Sequence, residues 1–365
     1  MRKAHVDRPL AFLVAILVLG GSLIFASAAF GLLGRGAEGV SSAVASHLLF
    51  GVGAGCIALA ITMTVDYRLW RRYAPYLFAL ALIGTAAVFI PHFGISHGGG
   101  RRWIALFGLS FQPSEALKLA TIVIAAAYFS AMRGKVSTAL YGLGGFLAIL
   151  ALPTVILALQ PDFGTLGVIA FSTVSVFWVA GARKRDIGIM LILAILALGI
   201  VAYAKPYVRD RVETFLHPSQ GQQEESYQIR QSLIAIGSGG IFGRGFGQGI
   251  QKFTYLPEPM GDSIFAVAGE ELGFVGGATL VILFALFALR GYYIASRAPE
   301  PFGKYLATGI STYLAVEAFI NISSMLGVAP LTGIPLTFVS QGGSAMLVSL
   351  ASAGILLGIS RRRHV

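Results

Sequence analysis

Ten apolar segments recur along the chain, and each is about as long as a helix that crosses a bilayer. They lie near residues 10–33, 43–65, 74–92, 113–130, 138–158, 164–181, 186–204, 262–289, 303–327 and 341–360. A helix of roughly 17–25 residues spans the hydrocarbon layer. With 56% hydrophobic and only 12% charged residues, the chain cannot be an ordinary soluble domain. We therefore predict an all-α polytopic membrane protein of about ten transmembrane helices, forming one integral membrane domain over residues 1–365.

The basic residues indicate how this domain is oriented. Seventeen of the 27 Lys and Arg residues lie at the N-terminus, in the even-numbered loops and in the C-terminal tail. Because short cytoplasmic loops carry an excess of Lys and Arg, we predict that both termini are cytoplasmic and that residues 205–261 form a long extracytoplasmic loop between spans seven and eight. The net charge of +11 then reflects topology and contact with anionic lipid, so we expect no nucleic-acid partner.

A polar, proline-containing loop leads into the eighth span and places Asp262 at its start. A carboxylate at the lip of a helix bundle is costly unless it is solvated, capped or paired. Asp is also a favoured N-cap residue, and its charge suits the positive end of the helix dipole. From this stretch alone, capping and catalysis are equally open for Asp262.

The second outer loop, 93–112, combines glycines with two adjacent cations, Arg101 and Arg102, and with Trp103. Glycines let backbone approach a ligand closely, and arginines can grip a phosphate. An aromatic anchor at the membrane interface is the alternative interpretation of this loop.

Four more ionisable residues lie at or inside the expected outer starts of spans four, six and eight. Glu115 and Lys118 are three apart on one face of span four, so we expect them to pair. Asp162 begins span six, where a cap or a basic partner is the first expectation. Glu270 lies about 12 Å deeper than Asp262 along span eight and requires a basic or polar partner.

The long loop contains two patterned stretches. Residues 209–216 predict a short amphipathic interfacial helix with paired charges. Residues 227–249 are apolar for a few positions and then dense in glycine, with Arg244 among the glycines, and Lys252 follows shortly after. We interpret this second stretch as a re-entrant or outer-leaflet segment whose glycines allow tight packing.

Under the predicted orientation, four helix N-termini point to the outer face, at the starts of spans four, six, eight and ten. Free amides at helix N-termini favour anions. The cations on or near the same face are Arg101, Arg102, Lys118, Arg244 and Lys252. This arrangement suits a lipid-linked diphosphate held in the outer leaflet.

Six motifs occur in order along essentially the whole chain. They are Gly100-Arg101-Arg102-Trp103; Phe111-Gln112-Pro113-Ser114-Glu115 with Lys118; Gln160-Pro161-Asp162-Phe163-Gly164-Thr165; Tyr227-Gln228 with Gln231-Ser232 and Gly237-Ser238-Gly239-Gly240; Leu256-Pro257-Glu258 with Asp262 and Gly269-Glu270-Glu271-Leu272-Gly273; and Pro330-Leu331-Thr332-Gly333-Ile334-Pro335 with Ser340 and Gly342-Gly343-Ser344. Together they resemble the SEDS family (shape, elongation, division and sporulation), nearer its FtsW branch than its RodA branch.

The resemblance implies a ten-span peptidoglycan glycosyltransferase in the bacterial cytoplasmic membrane. Such an enzyme polymerises lipid II, an undecaprenyl-diphosphate-linked disaccharide-peptide, into glycan strands during division or elongation. Its implied partners are a class B penicillin-binding protein and other divisome or elongasome membrane proteins.

The resemblance identifies one essential residue, and we assign the other roles by hypothesis from the residue types. The family's essential carboxylate falls on Asp262, as the expected general base. Arg101, Arg102, Lys118, Lys252 and Arg244 are the expected diphosphate-binding residues. The expected supporting polar residues are Gln112, Ser114, Glu115, Asp162, Glu258, Glu270, Ser340 and Ser344. Metal ligands stay unknown: no ligand spacing demands an ion, and a divalent cation, Mg²⁺ or Mn²⁺, is left open.

Three positions depart from the family's pattern. Met260-Gly261 precede Asp262 where the family commonly has His-Thr, Thr337 stands where Pro is usual, and Gln341 stands where Tyr is usual.

A lipid II flippase and a non-catalytic scaffold of the cell-wall synthesis complex are the two rival hypotheses. The flippase predicts polar residues continuing through the bundle, whereas the scaffold predicts that loss of Asp262 is tolerated.

Overall fold

The computed structural model describes residues 6–34, 39–91, 93–97, 100–106, 109–204, 209, 211, 213, 215 and 224–362. Within them the helices are, in chain order, α1 (Arg8–Gly34), α2 (Val40–Thr64), α3 (Tyr67–Phe89), α4 (Pro113–Ala131), α5 (Leu140–Leu159), α6 (Phe163–Val179), α7 (Lys184–Ala204), α8 (Glu224–Ser238), α9 (Gln251–Thr254), α10 (Ile264–Ser296), α11 (Pro301–Met325) and α12 (Gly343–Ser360). Of these described helices, α1 to α5 and α10 to α12 are the eight that are long and apolar enough to cross a membrane. The two other predicted spans correspond to α6, with 17 residues, and α7, with 21. The prediction of a polytopic helical membrane protein is confirmed.

Two helices extend well beyond the predicted apolar segments. Helix α3 begins at Tyr67 rather than near residue 74, because the Asp66 side chain accepts a hydrogen bond from the Arg68 amide at 3.0 Å and caps it. Helix α10 continues to Ser296 rather than ending near residue 289. Hydropathy marks the membrane-buried part of a helix, whereas capping and basic residues decide where the helix itself stops.

Three ion pairs join chain segments at one end of the bundle. They link Arg290 to Asp7, Arg362 to Asp66 and Arg68 to Glu300, at 2.8, 2.5 and 2.5 Å. The described segments before α1 and after α12 therefore lie at the same end as the connections that follow α2 and α10.

Helices α11 and α12 form the centre of the bundle, with most of their residues buried. Helix α2 packs closely on α12 because Gly354 has no side chain: a Cβ there would overlap the Thr62 hydroxyl and the Leu59 backbone. The Thr62 hydroxyl instead donates to the Ala351 carbonyl at 2.9 Å. Outer helices such as α7 keep exposed apolar faces, as lipid contact requires.

A small antiparallel sheet occupies much of the predicted loop 93–112. Its strands are β1 (Gly94–His97), β2 (Gly100–Leu106) and β3 (Leu109–Phe111), in the spatial order β1-β2-β3. On β2, Trp103 pairs with Ile95 of β1. The sheet packs against the end of the bundle at which α4 and α12 begin, and its pairing fixes the course of β2.

Helix α10 is interrupted at Gly273, which has φ 67° and ψ −164°. The interruption leaves backbone amides and carbonyls of α10 without partners inside the helix. The glycine-rich segment before α9 forms hydrogen bonds with them. The amides of Phe274 and Val275 donate to the carbonyls of Gly240 and Ile241, at 2.9 and 3.1 Å, and the amide of Arg244 donates to the Glu270 carbonyl at 3.0 Å. The glycines therefore allow the close backbone approach that the sequence suggested.

Candidate functional site

A cavity of about 570 Å³ lies between the sheet, the start of α2 and the loops that precede α10 and α12. This volume falls within the range of about 300–1,000 Å³ that is common for ligand pockets. Its charged and amide-bearing lining residues are Arg102, Gln112, Arg211, Glu258, Asp262 and Gln341.

The backbone of Asp262 is held from the centre of the bundle. Asn321 of α11 donates from its side-chain amide to the Asp262 carbonyl at 2.9 Å and to the Ile334 carbonyl at 2.8 Å. Because Asn321 is buried near the C-terminal end of α11, it ties both loops of the cavity to that helix.

The loop before α12 holds the same segment from the other side. The Ser340 hydroxyl donates to the Gly261 carbonyl at 2.8 Å, and the Gln341 amide donates to the Met260 carbonyl at 2.7 Å. Ser340 thus supports the site through the backbone next to Asp262.

Ser263, and not Asp262, occupies the N-cap position of α10. Its hydroxyl accepts a hydrogen bond from the Gln228 side chain at 3.0 Å. The Asp262 side chain instead lines the cavity, close to Gly333, where a Cβ would lie 3.6 Å from its Oδ2. The arrangement does not support the capping alternative.

Burial, followed by the charge of Glu258, raises the pKa of the Asp262 carboxyl from 3.8 to about 6. Arg211 and Arg102 act in the opposite direction and lower it. Asp262 is therefore mostly ionised at neutral pH yet basic enough to accept a proton, the property that a general base requires.

Arg102 is fixed at the cavity wall by two backbone carbonyls. Its Nε donates to the Gln160 carbonyl at 3.3 Å and its Nη2 to the Pro161 carbonyl at 2.5 Å. Gly100 makes this approach possible, since a Cβ there would lie 3.0 Å from both the Arg102 Nε and the Gln160 oxygen.

A second set of predicted residues surrounds Gln112. The Gln112 amide donates to the Ser344 hydroxyl at 3.2 Å, and its side chain donates to Ser114 at 3.0 Å and to Asp162 at 3.5 Å. Asp162 caps α6 by accepting from the Thr165 amide at 3.3 Å, as expected. Gln112 therefore links the cavity wall to the starts of three helices.

Lys118 lies below the cavity and does not line it. Its ammonium group is buried between Glu115, at 2.8 Å, and Glu317 of α11. The predicted pairing of Glu115 with Lys118 is confirmed, but the charge of Lys118 is already balanced inside the protein.

Lys252 is also buried and lies at the interruption of α10. Its ammonium group contacts Glu271 at 2.5 Å and the Ser27 hydroxyl of α1 at 2.6 Å. Glu270 accepts hydrogen bonds from the Ile250 and Gln251 amides, at 2.8 and 3.1 Å.

The expected phosphate-binding cations are thus separated by the fold. Arg102 lines the cavity with Asp262, whereas Lys118 and Lys252 are buried against carboxylates. Arg244 lies 3.6 Å from Glu270, and Arg101 is exposed on β2 outside the cavity lining.

Three residues that the sequence did not single out for the site prove to belong to it. Arg211 and Gln341 line the cavity, and Asn321 positions Asp262. Arg209, Arg211, Glu213 and Phe215 are helical, as predicted for this stretch, whereas the rest of residues 209–216 lies outside the described residues. Arg211 had looked like one member of a local charge pair, and only the fold brings it to Asp262.

Oxygen ligands for a hard cation are present on the cavity wall. Glu258 and Asp262 both line it, and Mg²⁺ is commonly held by one or two carboxylates together with substrate phosphates. The described residues contain no group of three or more His, Cys, Asp or Glu side chains that could hold a metal by themselves.

The sequence matches a family model and is similar to those of known proteins along most of its length. A sequence model of the family described as "Cell cycle protein", which covers FtsW, RodA and SpoVE, matches residues 8–365. Stage V sporulation protein E of Bacillus subtilis (strain 168) is 38% identical over 315 residues, which are 86% of this chain and 86% of that protein. The peptidoglycan glycosyltransferase MrdB of Escherichia coli (strain K12) is 34% identical over 366 residues, covering 100% and 95% of the two chains.

Solved structures agree with the sequence comparison. A chain described under "Structural coordination of polymerization and crosslinking by a peptidoglycan synthase complex" superimposes with a TM-score of 0.81, at 26% identity and 98% coverage of both chains. An aspartate-to-alanine variant of the rod shape determining protein RodA from Thermus thermophilus gives a TM-score of 0.71, at 26% identity and 99% coverage of both. The chain therefore belongs to the FtsW/RodA/SpoVE family, the SEDS family of multi-pass membrane proteins.

Proposed function

We propose that this protein is a peptidoglycan glycosyltransferase that polymerises lipid II at the outer face of the membrane, with Asp262 as its general base. The observation that carries the proposal is the position of Asp262: a carboxyl whose pKa is about 6 lines a cavity of about 570 Å³ together with Arg102 and Arg211. The names of the relatives, peptidoglycan glycosyltransferases among them, support the same activity.

The proposed reaction is an inverting glycosyl transfer. The 4-hydroxyl of the acceptor sugar attacks the anomeric carbon of the growing chain, the bond from that carbon to the lipid diphosphate breaks, and the diphosphate leaves with the bonding electrons. Asp262 takes the proton of the attacking hydroxyl, a contribution of about 10²–10⁴ in rate for a well-placed base.

We assign the stabilisation of the leaving diphosphate to Arg102 and Arg211. Both line the cavity with Asp262, and two backbone carbonyls fix Arg102 in place. Preorganised cations beside a developing negative charge stabilise the transition state. Lys118 and Lys252 are left out of this set because each ammonium group is buried against a glutamate. A divalent cation, if bound, would be held by Glu258 together with phosphate oxygens of the substrate and would add positive charge at the diphosphate.

The flippase hypothesis requires a polar route through the bundle. The charged residues below the cavity include Lys118, Glu115 and Glu317, which are buried, with Lys118 in contact with both glutamates. The void beside Glu317 measures about 10 Å³, which is room for roughly one water molecule. A saccharide head group does not fit this space, so chemistry at the outer surface is the better-supported hypothesis.

We place the protein in the bacterial cytoplasmic membrane, with both termini in the cytoplasm and the cavity outside. The support is the distribution of Lys and Arg and the ion pairs that gather both described chain ends on one side of the bundle. We propose a class B penicillin-binding protein as its crosslinking partner, since the similar solved complex couples polymerisation with crosslinking.

Glycan-strand formation from purified lipid II in detergent micelles tests the activity. A micelle has no second leaflet, so a flippase yields no product in it. We expect strands from the wild-type protein, alone or with a class B penicillin-binding protein whose transpeptidase is inactivated. Lipid II binding without strand formation in both conditions would instead favour the flippase or the scaffold.

A further inference from the structure

Trp103 supplies an aromatic surface to the cavity that contains Asp262. Its indole is partly exposed and lines the cavity, as does Ile95, its cross-strand neighbour on β1. An aromatic ring and an aliphatic side chain therefore form an apolar section in a wall that is otherwise rich in charged and amide groups.

The backbone that carries Trp103 is held on both sides. Ile104, the next residue, pairs with Gly94 on β1 and with Phe111 on β3. Arg102, the preceding residue, is anchored to the carbonyls of Gln160 and Pro161. The indole is thus presented from a fixed strand, and a ligand that stacks on it meets a surface that needs little ordering.

The chemistry of this wall suits a sugar ring. A pyranose has an apolar face of C–H groups and a rim of hydroxyls, and the negative face of an aromatic ring attracts the polarised C–H groups. Gln112, Gln341, Ser42 and Ser46 line the same cavity and offer hydrogen bonds to hydroxyls. A bare diphosphate would need only the two arginines, and a lipid chain would not need the amides.

We propose that Trp103 is a saccharide-binding residue, on which a sugar ring of the substrate head group stacks beside Asp262. The proposal rests on the proposed function, which supplies the saccharide substrate, and adds the surface that orients it. The alternative is the interfacial anchor that the sequence left open, in which the indole contacts lipid head groups instead.

Tryptophan fluorescence tests the stacking directly. The chain has three Trp residues, so Trp70→Phe and Trp178→Phe leave Trp103 as the only reporter, and Asp262→Asn prevents turnover. Lipid II is titrated against undecaprenyl diphosphate, which has the same lipid and diphosphate but no sugar. We expect lipid II alone to change the emission of Trp103. An equal change with both lipids, no change with either, or quenching by brominated phospholipid that lipid II does not relieve would overturn the proposal.

Kinetics provides a second test in the active protein. We expect Trp103→Ala to raise the KM for lipid II by about five- to ten-fold, as stacking energies of this kind imply, with a smaller effect on kcat. Trp103→Tyr should retain most of the affinity. Trp178→Ala, at the opposite end of α6 from Asp162, is the matched control and should leave KM unchanged. An unchanged KM in Trp103→Ala would overturn the proposal, whereas strand formation by Asp262→Asn would overturn the proposed base and leave the KM comparison standing.

Discussion

The pKa of Asp262 is set by opposing neighbours within the cavity. Burial raises it to about 6 with help from Glu258, whereas Arg211 and Arg102 lower it. Because only the ionised carboxylate can accept the proton of the attacking hydroxyl, activity should rise with pH as Asp262 ionises, be half-maximal near the pKa of about 6 and level off roughly one pH unit higher.

Two substitutions should move the acidic limb of the pH–activity profile, where activity rises as Asp262 ionises, in opposite directions. Glu258→Gln removes a negative neighbour, lowers the pKa of Asp262 and moves the limb to lower pH. Arg211→Met removes a positive neighbour, raises that pKa and moves the limb to higher pH. Initial rates of strand formation from about pH 4 to about pH 8, roughly two units on each side of the pKa of about 6, measure both. Shifts in the same direction, or none, would contradict the proposed electrostatics.

At the residue scale, the sequence predicted which residues carry the chemistry better than it predicted which residues contact each other. Asp262, Arg102 and Gln112 were all found from their residue types and motifs, and all three line the cavity. Lys118 and Lys252 were recognised as cations, but Glu317 is 199 positions from Lys118, and nothing local reveals that pairing. The sign of a side chain's charge can be read from the sequence. Whether a residue far away in the chain already neutralises that charge cannot.

Helix α11 acts on the site through Asn321. Asn321→Leu removes both hydrogen bonds that hold the Asp262 and Ile334 carbonyls. We expect kcat to fall by about ten- to hundred-fold, because small displacements of a catalytic group are costly, while lipid II binding persists.

Ser324→Ala is the matched control on the same helix. Its hydroxyl donates to the Pro330 carbonyl at 2.8 Å, so it holds the same outer loop as Asn321 but not Asp262. Equal loss of kcat in both variants would mean that the loop, and not the position of Asp262, accounts for the effect.

The ion pair between Lys252 of α9 and Glu271 of the interrupted helix α10 also contacts the Ser27 hydroxyl and so joins both to α1. Lys252→Met leaves the buried Glu271 without its cation and should cost about 3–5 kcal/mol of stability. Adding Glu271→Gln should recover much of that loss, because the uncompensated charge is then removed. Thermal unfolding in detergent compares the single and double variants. A double variant no more stable than Lys252→Met would contradict this account of the pair.

At the element scale, hydropathy predicted the helices and missed what interrupts or separates them. The ten apolar segments all correspond to helices, because a bilayer imposes their length. The sheet was missed because its strands are short and carry charge, although the Gly98-Gly99 pair between strand residues is a known hairpin signal. The interruption at Gly273 was missed because the apolar run continues through it, and only the φ of 67° reveals the change of direction.

For the whole molecule, the proposed orientation places the cavity on the extracytoplasmic side of the membrane. With Cys56→Ser as background, Arg101→Cys should react with a membrane-impermeant maleimide in intact cells. Arg183→Cys, at the other end of the bundle, should react only after the membrane is permeabilised. The reverse pattern would contradict the predicted topology and would place the cavity on the wrong side for strand synthesis.

The central claim is that Asp262 performs the chemistry of this molecule. The most direct measurement compares glycan-strand formation by wild type and Asp262→Asn in one preparation, with lipid II binding measured in parallel. We predict strands from the wild type, none from the variant, and equal binding by both. Substantial polymerisation by a variant that cannot accept the proton would contradict the account.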